Sequence, residues 1–484
     1  MIKTFRCIFV TACLVQTISS FSVHAANTKN DLPEIGVVAS SAISVDKEMQ
    51  IGDALMRQLR GQAPIVRDPL LDEYIQDIGN RLVAQAENVK FPYTFFILNS
   101  SDINAFAFFG GHIGIHTGLI FNARNESELA SVLAHEVSHV TQRHLARSIE
   151  ARQKSSPLQI ASLLGGILLA VANPEAGIAA ISVGNAASAQ SSINYTRQNE
   201  KEADRVGINI LAHAGFDPNG AASFFNILTE KNRLKSKPMA FLLTHPLPES
   251  RVSDARTRAA MFSAKTVPEN INFHLAKSRI LARYYANPQR NIAYFSEQIK
   301  NSQYAFKQAA EYGLALSYLA DEQYSAAAKI IDELLTQAPS NLFYLDTFTD
   351  LSIELNKHQQ AIDKLTKQIA NAPYNQVLTL NLANVLIKDK QAPKASIILK
   401  DYILLNPNNL LAHELLADAY QASDQKLEMH RTKAEIYALI AAYPRAIDEL
   451  QTAYNFASDR QIEKQRIRAR IDQFRNAQEK LQSL

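Results

Sequence analysis

A 34-residue repeat in the C-terminal half constrains the fold of this 484-residue chain more than any other feature of its sequence. The recurring residues are Pro339, Pro373 and Pro407, together with Ala327, Ala361 and Ala395. The small alanines let paired helices approach closely, and each proline ends the second helix of a pair. This pattern is typical of tetratricopeptide repeats, whose helix pairs stack into a solenoid.

Four repeats are predicted between residue 304 and the C terminus. The last unit begins out of phase, with Ala434, Ala446 and Ala453 at its small-residue positions. A further half-repeat is expected over Leu275–Ile299, and the basic, polar segment Arg460–Leu484 is expected to cap the array. Such a solenoid offers a concave groove to a peptide or a protein, although the fold alone does not identify that partner.

The first 25 residues have the features of a secretory signal peptide. A positively charged start and an apolar stretch precede a small-residue cleavage site near Ala25 and Ala26. The only two cysteines, Cys7 and Cys13, lie in this segment, so a metal site in the exported chain must use histidine and carboxylate ligands. A rival interpretation, a lipoprotein acylated at Cys13, requires an unusually short apolar stretch.

His135, Glu136 and His139 form the motif His-Glu-Val-Ser-His. Asn125 and Glu128 form a capping box that predicts the start of the helix carrying this motif. Because the two histidines are four residues apart, both rings project from one helix face and can bind one metal ion. Glu136 lies beside them and is free to take a proton from a metal-bound water, an arrangement typical of zinc sites that hydrolyse peptide bonds.

A third ligand is expected from a second helix, because Gln142 and Leu145 stand where metzincins carry Gly and His. Glu200 and Asp204 share one otherwise apolar face of a following helix. Buried carboxylates need strong partners: zinc would satisfy Glu200, and an N–H of a zinc-bound histidine would satisfy Asp204. Two alternatives stay open, a buried ion pair with an arginine and Glu202 as the ligand.

These segments resemble those of the CAAX-prenyl-protease-type zinc metallopeptidases. The matching segments are His135-Glu136-x-x-His139, Glu200-x-x-Ala203-Asp204, and Asn104-Ala105-Phe106-Ala107 followed by Gly110-Gly111-His112-Ile113. The resemblance implies one zinc ion per chain, held by the two motif histidines and Glu200. It also implies that Glu136 is the general base, with Asp204 orienting a histidine ligand.

The resemblance extends to a His-Pro segment that begins at His245. It implies that His245 lies on a loop over the zinc, where it either takes the fourth coordination position in a latched resting state or assists catalysis. Arg251 would help to stabilise the oxyanion. The segment His112–Ile115 would be an edge strand that pairs with an extended substrate. His112 and His116 also suggest a second metal pair. The simpler interpretation is that they are ordinary histidines of a strand.

The fold predicted from these patterns is mostly α. A signal peptide over residues 1–25 precedes an α+β zinc metallopeptidase domain, helical with a small sheet, over residues 26–255. A helical connector over 256–303 leads to an α-solenoid of tetratricopeptide repeats over 304–484. The apolar run Ile160–Ala172 has 13 residues, too few for a bilayer span of about 20. It is expected to be either a helical hairpin that touches the membrane near the cleft or a buried core helix.

With its export signal and repeats, the chain is similar to periplasmic members of this family in Gram-negative bacteria. The resemblance implies a periplasmic endopeptidase, with an additional chaperone activity, that degrades unfolded or misassembled outer-membrane proteins. Its repeats would dock on the outer-membrane β-barrel assembly machinery, with peripheral membrane contact left open. Lys and Arg number 50 against 47 Asp and Glu, so the basic excess that nucleic-acid binding needs is missing. The alternative is a repeat scaffold or chaperone whose zinc site is structural, although such a site has no use for Glu136.

Overall fold

The computed structural model describes residues 43–151, 186–233, 236, 238–263 and 267–482. The predicted signal peptide and the apolar run Ile160–Ala172 lie outside these residues. The described chain is mostly helical with one small sheet, which confirms the predicted fold class. In the described ranges, every helix is too short or too polar to cross a membrane.

The described part of the chain up to residue 259 contains nine α-helices, a short 3₁₀ helix over Phe109–Gly111 and a three-stranded sheet. The helices are α1 Val45–Gln62, α2 Pro69–Val83, α3 Thr117–Asn122, α4 Glu126–Thr141, α5 His144–Ala151, α6 Ala186–His213, α7 Asn219–Arg233, α8 Ala240–Thr244 and α9 Glu249–Ala259. The strands are β1 Thr94–Leu98, β2 Ala105–Phe108 and β3 His112–His116.

The strand β3 lies in the centre of the sheet, parallel to β1 and antiparallel to β2. The prediction of His112–Ile115 as an edge strand is therefore wrong. A tight turn joins β2 to β3, and Gly110 and Gly111 adopt the left-handed φ values of 79° and 80° that it needs. Because β1 pairs with the other side of β3, the free edge near the cleft belongs to β2 instead.

The helix α4 passes through the core and is buried over most of its length. Asn125 caps its start by accepting a hydrogen bond from the N–H of Glu128 at 2.9 Å. Glu128 in turn accepts from the N–H of Arg124, the residue before the N-cap, whereas a capping box would use the N–H of Asn125 itself. The helix packs between α6, α7 and the sheet, which fixes the direction of its polar residues.

Twelve helices follow, and most form antiparallel pairs. They are α10 Ile271–Tyr284, α11 Pro288–Lys300, α12 Lys307–Ala320, α13 Tyr324–Gln337, α14 Leu342–Glu354, α15 His358–Asn371, α16 Gln376–Lys388, α17 Ala392–Leu405, α18 Leu410–Ala422, α19 Lys426–Leu439, α20 Tyr443–Phe456 and α21 Gln461–Gln482.

The 34-residue period reappears in the backbone. The helices α14, α16 and α18 are each capped by an asparagine two residues after a repeat proline, namely Asn341, Asn375 and Asn409. A left-handed residue also recurs in the turns at this interval, at Glu322, Asn356, Lys390, Asp424 and Ser458. Each proline therefore ends one helix just before a good N-cap residue starts the next.

The repeats pack against the N-terminal helices through a buried ionic contact. Arg279 on α10 is 1% exposed and donates to Asp68, the N-cap of α2, at 2.6 Å. It also pairs with Asp346 on α14 at 2.8 Å. An exposed pair between Arg67 and Glu414, at 2.6 Å, joins the same two parts of the chain.

Candidate metal centre

The histidines of α4 and the first acid of α6 meet in the interior. His135 Nε2 lies 3.0 Å from His139 Nε2 and 3.3 Å from Glu200 Oε2, while His139 Nε2 lies 3.3 Å from Glu200 Oε1. The two helices approach closely because Gly207 has no side chain: a Cβ atom there would lie 3.2 Å from backbone atoms of Ala134 and His135.

His245 joins this group from the C-terminal end of α8. Its Nδ1 atom lies 3.1 Å from Glu200 Oε1 and 3.3 Å from His135 Nε2. The ring stacks on Phe241, one helical turn earlier, with 4.7 Å between the ring centres. His245 therefore takes a defined place in the cluster, although it follows a helix of only five residues.

Four potential ligand atoms, from His135, His139, Glu200 and His245, lie within 4.8 Å of one another. Among the described residues, this is the one group of histidine and acidic side chains that could hold a metal ion. Three imidazoles and a carboxylate form a donor set suited to a borderline divalent ion. The chemistry of these residues therefore fits a metal.

The electrostatics of the cluster favour a cation. Burial opposes ionisation of Glu200, but the three histidines outweigh it and hold the pKa of this carboxyl well below its usual value. Burial likewise opposes protonation of His135, yet hydrogen bonds to Asp204 and Glu200 raise the pKa of this imidazole to about 10. Burial lowers the pKa of His139 to about 3, so its ring is neutral. The buried carboxylates thus require positive charge among them.

Glu136 lies beside the ligands and is 1% exposed. Its Oε1 atom has no hydrogen-bond partner within the described part of the chain, and His245 Nε2 lies 3.4 Å away. Burial raises the pKa of Glu136 above its usual value. A buried carboxylate oxygen left without a hydrogen bond is costly for the fold, and such groups concentrate at reactive sites.

Asp204 stands behind His135. Its Oδ1 atom accepts from His135 Nδ1 at 3.0 Å, which is the contact expected of a residue that orients a ligand. Arg251 donates to both Asp204 oxygens, from Nε at 2.7 Å and from Nη2 at 2.8 Å. Asp204 therefore makes both contacts that the sequence left as alternatives: it accepts from a ligand histidine, and it forms an ion pair with an arginine.

Arg251 is 2% exposed and its third nitrogen is also engaged. Arg251 Nη1 donates to the carbonyl of Pro246 at 2.7 Å and lies 2.9 Å from Glu200 Oε2. The guanidinium therefore ties the segment after His245 to the two acids of α6. Its contact with an oxyanion stays a prediction.

Two further residues stand behind His139, and the motif analysis did not include them. His144 Nδ1 lies 2.9 Å from His139 Nδ1, and its Nε2 lies 3.2 Å from Glu202 Oε2. Glu202 thus lies outside the ligand cluster, although it is not turned wholly to water. The available signal was a third histidine five residues after His139; sequence spacing alone does not show that the chain turns back between them.

A cavity of about 280 Å³ opens beside the cluster. Its lining combines Phe106, Phe108 and Leu145 with Asn104, Glu136 and His245. Asn104 is 4% exposed, and its Oδ1 atom lacks a hydrogen-bond partner among the described residues. His112 and His116 are buried in the sheet and do not join the ligand group.

Comparisons with known proteins found matches for both parts of the chain. Residues 69–259 match the model of peptidase family M48, and residues 352–419 match a tetratricopeptide repeat model. The chain is 43% identical to a Vibrio cholerae protein over 98% of both chains. It is 41% identical to the β-barrel assembly-enhancing protease of Escherichia coli, over 97% of this chain and 96% of that protein. It is also 26% identical to the mitochondrial metalloendopeptidase OMA1 of Schizosaccharomyces pombe, over 37% of this chain and 50% of the relative.

Proposed function

The chain belongs to the β-barrel assembly-enhancing proteases of peptidase family M48 and is a metalloendopeptidase, and from this premise we propose that it is a zinc enzyme of the periplasm. The observation that best supports this proposal is that four potential ligand atoms lie within 4.8 Å of one another, beside a buried Glu136 oxygen that has no hydrogen-bond partner among the described residues. The peptidase domain spans residues 26–255, a helical connector spans 256–303, and the repeats span 304–484.

His135, His139 and Glu200 would hold the zinc. When bound, zinc supplies a Lewis acid for the scissile carbonyl and lowers the pKa of a coordinated water. Glu136 takes up the proton of the attacking water at its unpartnered oxygen and passes it to the leaving amine. Asp204 holds the ring of His135, and Arg251 or His245 assists the developing oxyanion.

The substrate would bind as an added strand along the free edge of β2. This edge borders the cavity, where Phe106 and Phe108 supply an apolar wall. Asn104 Oδ1, which has no partner among the described residues, would accept from a substrate amide. Main-chain pairing tolerates many sequences. Unfolded outer-membrane proteins suit such a cleft because their strands alternate apolar and polar residues.

The repeats would bring the peptidase to its substrates. The similarity to the β-barrel assembly-enhancing proteases supports misassembled outer-membrane β-barrel proteins as the substrates. The solenoid docks the enzyme on the outer-membrane assembly machinery, and it adds a chaperone-like activity.

His245 would latch the enzyme at rest, because its Nδ1 occupies the place of a fourth ligand. The same contact supports a second candidate function, a repeat scaffold whose zinc is structural, since a structural site is closed by four protein ligands. The two functions predict different results when His245 is removed from the site. A latched peptidase would gain activity, whereas a scaffold would stay inactive.

The first test is the zinc content of the purified mature chain. We expect about one zinc per chain in the wild type and in Glu230→Gln, an exposed control acid on α7, but much less in Glu200→Gln. Equal zinc contents in the two variants would show that Glu200 is not the third ligand.

Cleavage of an unfolded outer-membrane protein is the second test. A chelator should stop it and added zinc should restore it. A zinc-loaded chain that cleaves nothing, even after His245→Ala, would identify the structural site of a scaffold.

A further inference from the structure

His144 supports His139 from the side that faces away from the ligand cluster. The two Nδ1 atoms lie 2.9 Å apart, so one ring must donate a hydrogen bond to the other. The second nitrogen of His144, Nε2, lies 3.2 Å from Glu202 Oε2. Arg147 Nη1 lies 2.9 Å from the same oxygen and holds the carboxylate in place.

An unusual backbone conformation places His144 there. Arg143, which follows α4, has a left-handed φ of 50° that residues other than glycine seldom adopt. Its buried side chain donates from Nε to Glu48 at 2.9 Å and from Nη2 to the carbonyl of Ile43 at 2.8 Å. These contacts hold the turn that swings the first residue of α5 back onto the last turn of α4.

Only one arrangement of hydrogens satisfies both imidazole rings and the carboxylate in this chain of contacts. A ring nitrogen that binds a metal must present a lone pair, and His139 turns Nε2 towards the cluster. The hydrogen of His139 therefore lies on Nδ1 and is donated to Nδ1 of His144. The hydrogen of His144 then lies on Nε2, where the carboxylate of Glu202 accepts it.

We infer that His144 and Glu202 are a positioning pair, which fixes the ring orientation and tautomer of His139 so that Nε2 faces the metal. The pair rests on the proposed zinc site and deepens it. The two ligand histidines are thus supported differently: Asp204 contacts His135 directly, whereas a neutral imidazole stands between His139 and its carboxylate. Partners of this kind alter metal affinity and activity by about 10–100-fold.

Two substitutions separate positioning from packing. His144→Leu keeps an apolar group of similar bulk but removes the acceptor. His144→Asn offers an amide oxygen close to the position of Nδ1, so it can accept from His139. We expect His144→Leu to raise the zinc dissociation constant and to lower kcat about 10–100-fold, with little change in KM. His144→Asn should recover most of both losses.

The measurements are zinc affinity, by competition with a chromophoric chelator, and the visible absorption spectrum of the cobalt-substituted chain. That spectrum reports ligand geometry and should shift in His144→Leu. His213→Leu, at an exposed histidine of α6, is the matched control. If His144→Leu folds poorly, Glu202→Gln should weaken zinc binding in the same direction by a smaller factor.

The outcomes distinguish this inference from the proposed function. Wild-type zinc affinity and cobalt spectrum in a folded His144→Leu variant would overturn the positioning pair and leave the zinc peptidase intact. An Asn variant as impaired as the Leu variant would also overturn it. A wild-type chain that binds zinc but cleaves nothing, with zinc binding still weakened by His144→Leu, would overturn the peptidase alone. A chain that binds no zinc would overturn both.

Discussion

His245 contacts Glu136 as well as the metal ligands: its Nε2 atom lies 3.4 Å from Oε1 of Glu136. One ring therefore brings Nδ1 to the proposed metal site and Nε2 towards the proposed general base. Because an attacking water needs both places, the proposed latch would close the site to catalysis. This geometry leads to the first prediction.

His245→Ala should increase the cleavage rate of an unfolded substrate, because it frees the fourth coordination position and the base together. The expected rise is on the order of tenfold, the factor that about 1.4 kcal/mol of latch stability produces. Initial rates with a quenched fluorescent polypeptide would measure it. His213→Ala, at an exposed histidine, should leave the rate unchanged, and a rate no higher in His245→Ala with unaltered zinc binding would rule out the latch.

Glu136→Gln should abolish cleavage and retain the metal. The amide is nearly isosteric with the carboxylate but cannot accept the proton of water, and loss of general base catalysis costs about 10²–10⁴-fold in rate. Metal content and rate are measured on the same sample. Loss of the metal together with the activity would show that Glu136 is a ligand instead of a base.

The spacing of the motif predicted the helix faces well, because residues four apart share a face whatever surrounds the helix. It predicted that Glu200 and Asp204 point inwards and that they need strong partners, and both lie against histidines of α4. Sequence periodicity carries this information because burial and helical geometry are local properties.

Contacts made by turns and loops were less predictable. The placement of His144 depends on a left-handed turn at Arg143, which nothing in the pattern of apolar residues indicates. The strand order also escaped prediction, since the motif at His112 identifies a strand but not its neighbours. Such features arise from tertiary pairing between segments distant in sequence.

Gly207 sets the distance between the ligand helices, which gives a third prediction. A Cβ atom there would lie 3.2 Å from the backbone of Ala134 and His135, so Gly207→Val should push α6 away from α4. A displacement of about 1 Å can cost on the order of 10²-fold in rate, and zinc affinity should fall as well. Gly207→Ala should show a smaller loss in the same assays.

Asn209→Ala, on the exposed face of the same helix, is the control for Gly207. It should keep the zinc affinity and rate of the wild type. Wild-type values in a folded Gly207→Val variant would mean that the close approach of the two helices is not needed for the site.

The buried ion group around Arg279 supports a fourth prediction, on stability. Burial alone would raise the pKa of Asp68, but Arg279 and Arg283 outweigh it and hold the pKa of this carboxyl below its usual value. Because the folded pKa is the lower one, ionisation of Asp68 stabilises the fold. That contribution is complete above the unfolded value of about 3.9 and is lost as the pH falls through the folded value.

Arg279→Met should lower the free energy of unfolding at pH 7 by about 3–5 kcal/mol, because it leaves Asp68 and Asp346 buried without their shared cation. The deficit relative to the wild type should shrink on acidification, since Asp68 without the cation takes up a proton at a higher pH than the paired carboxylate does. Urea unfolding between pH 7 and pH 4 would measure both quantities. Arg67→Met removes the exposed ion pair with Glu414 between the same parts of the chain, and it should cost less than about 1 kcal/mol. A deficit for Arg279→Met that is equally small, or that stays constant with pH, would show that the buried cation does not hold the repeats against α2.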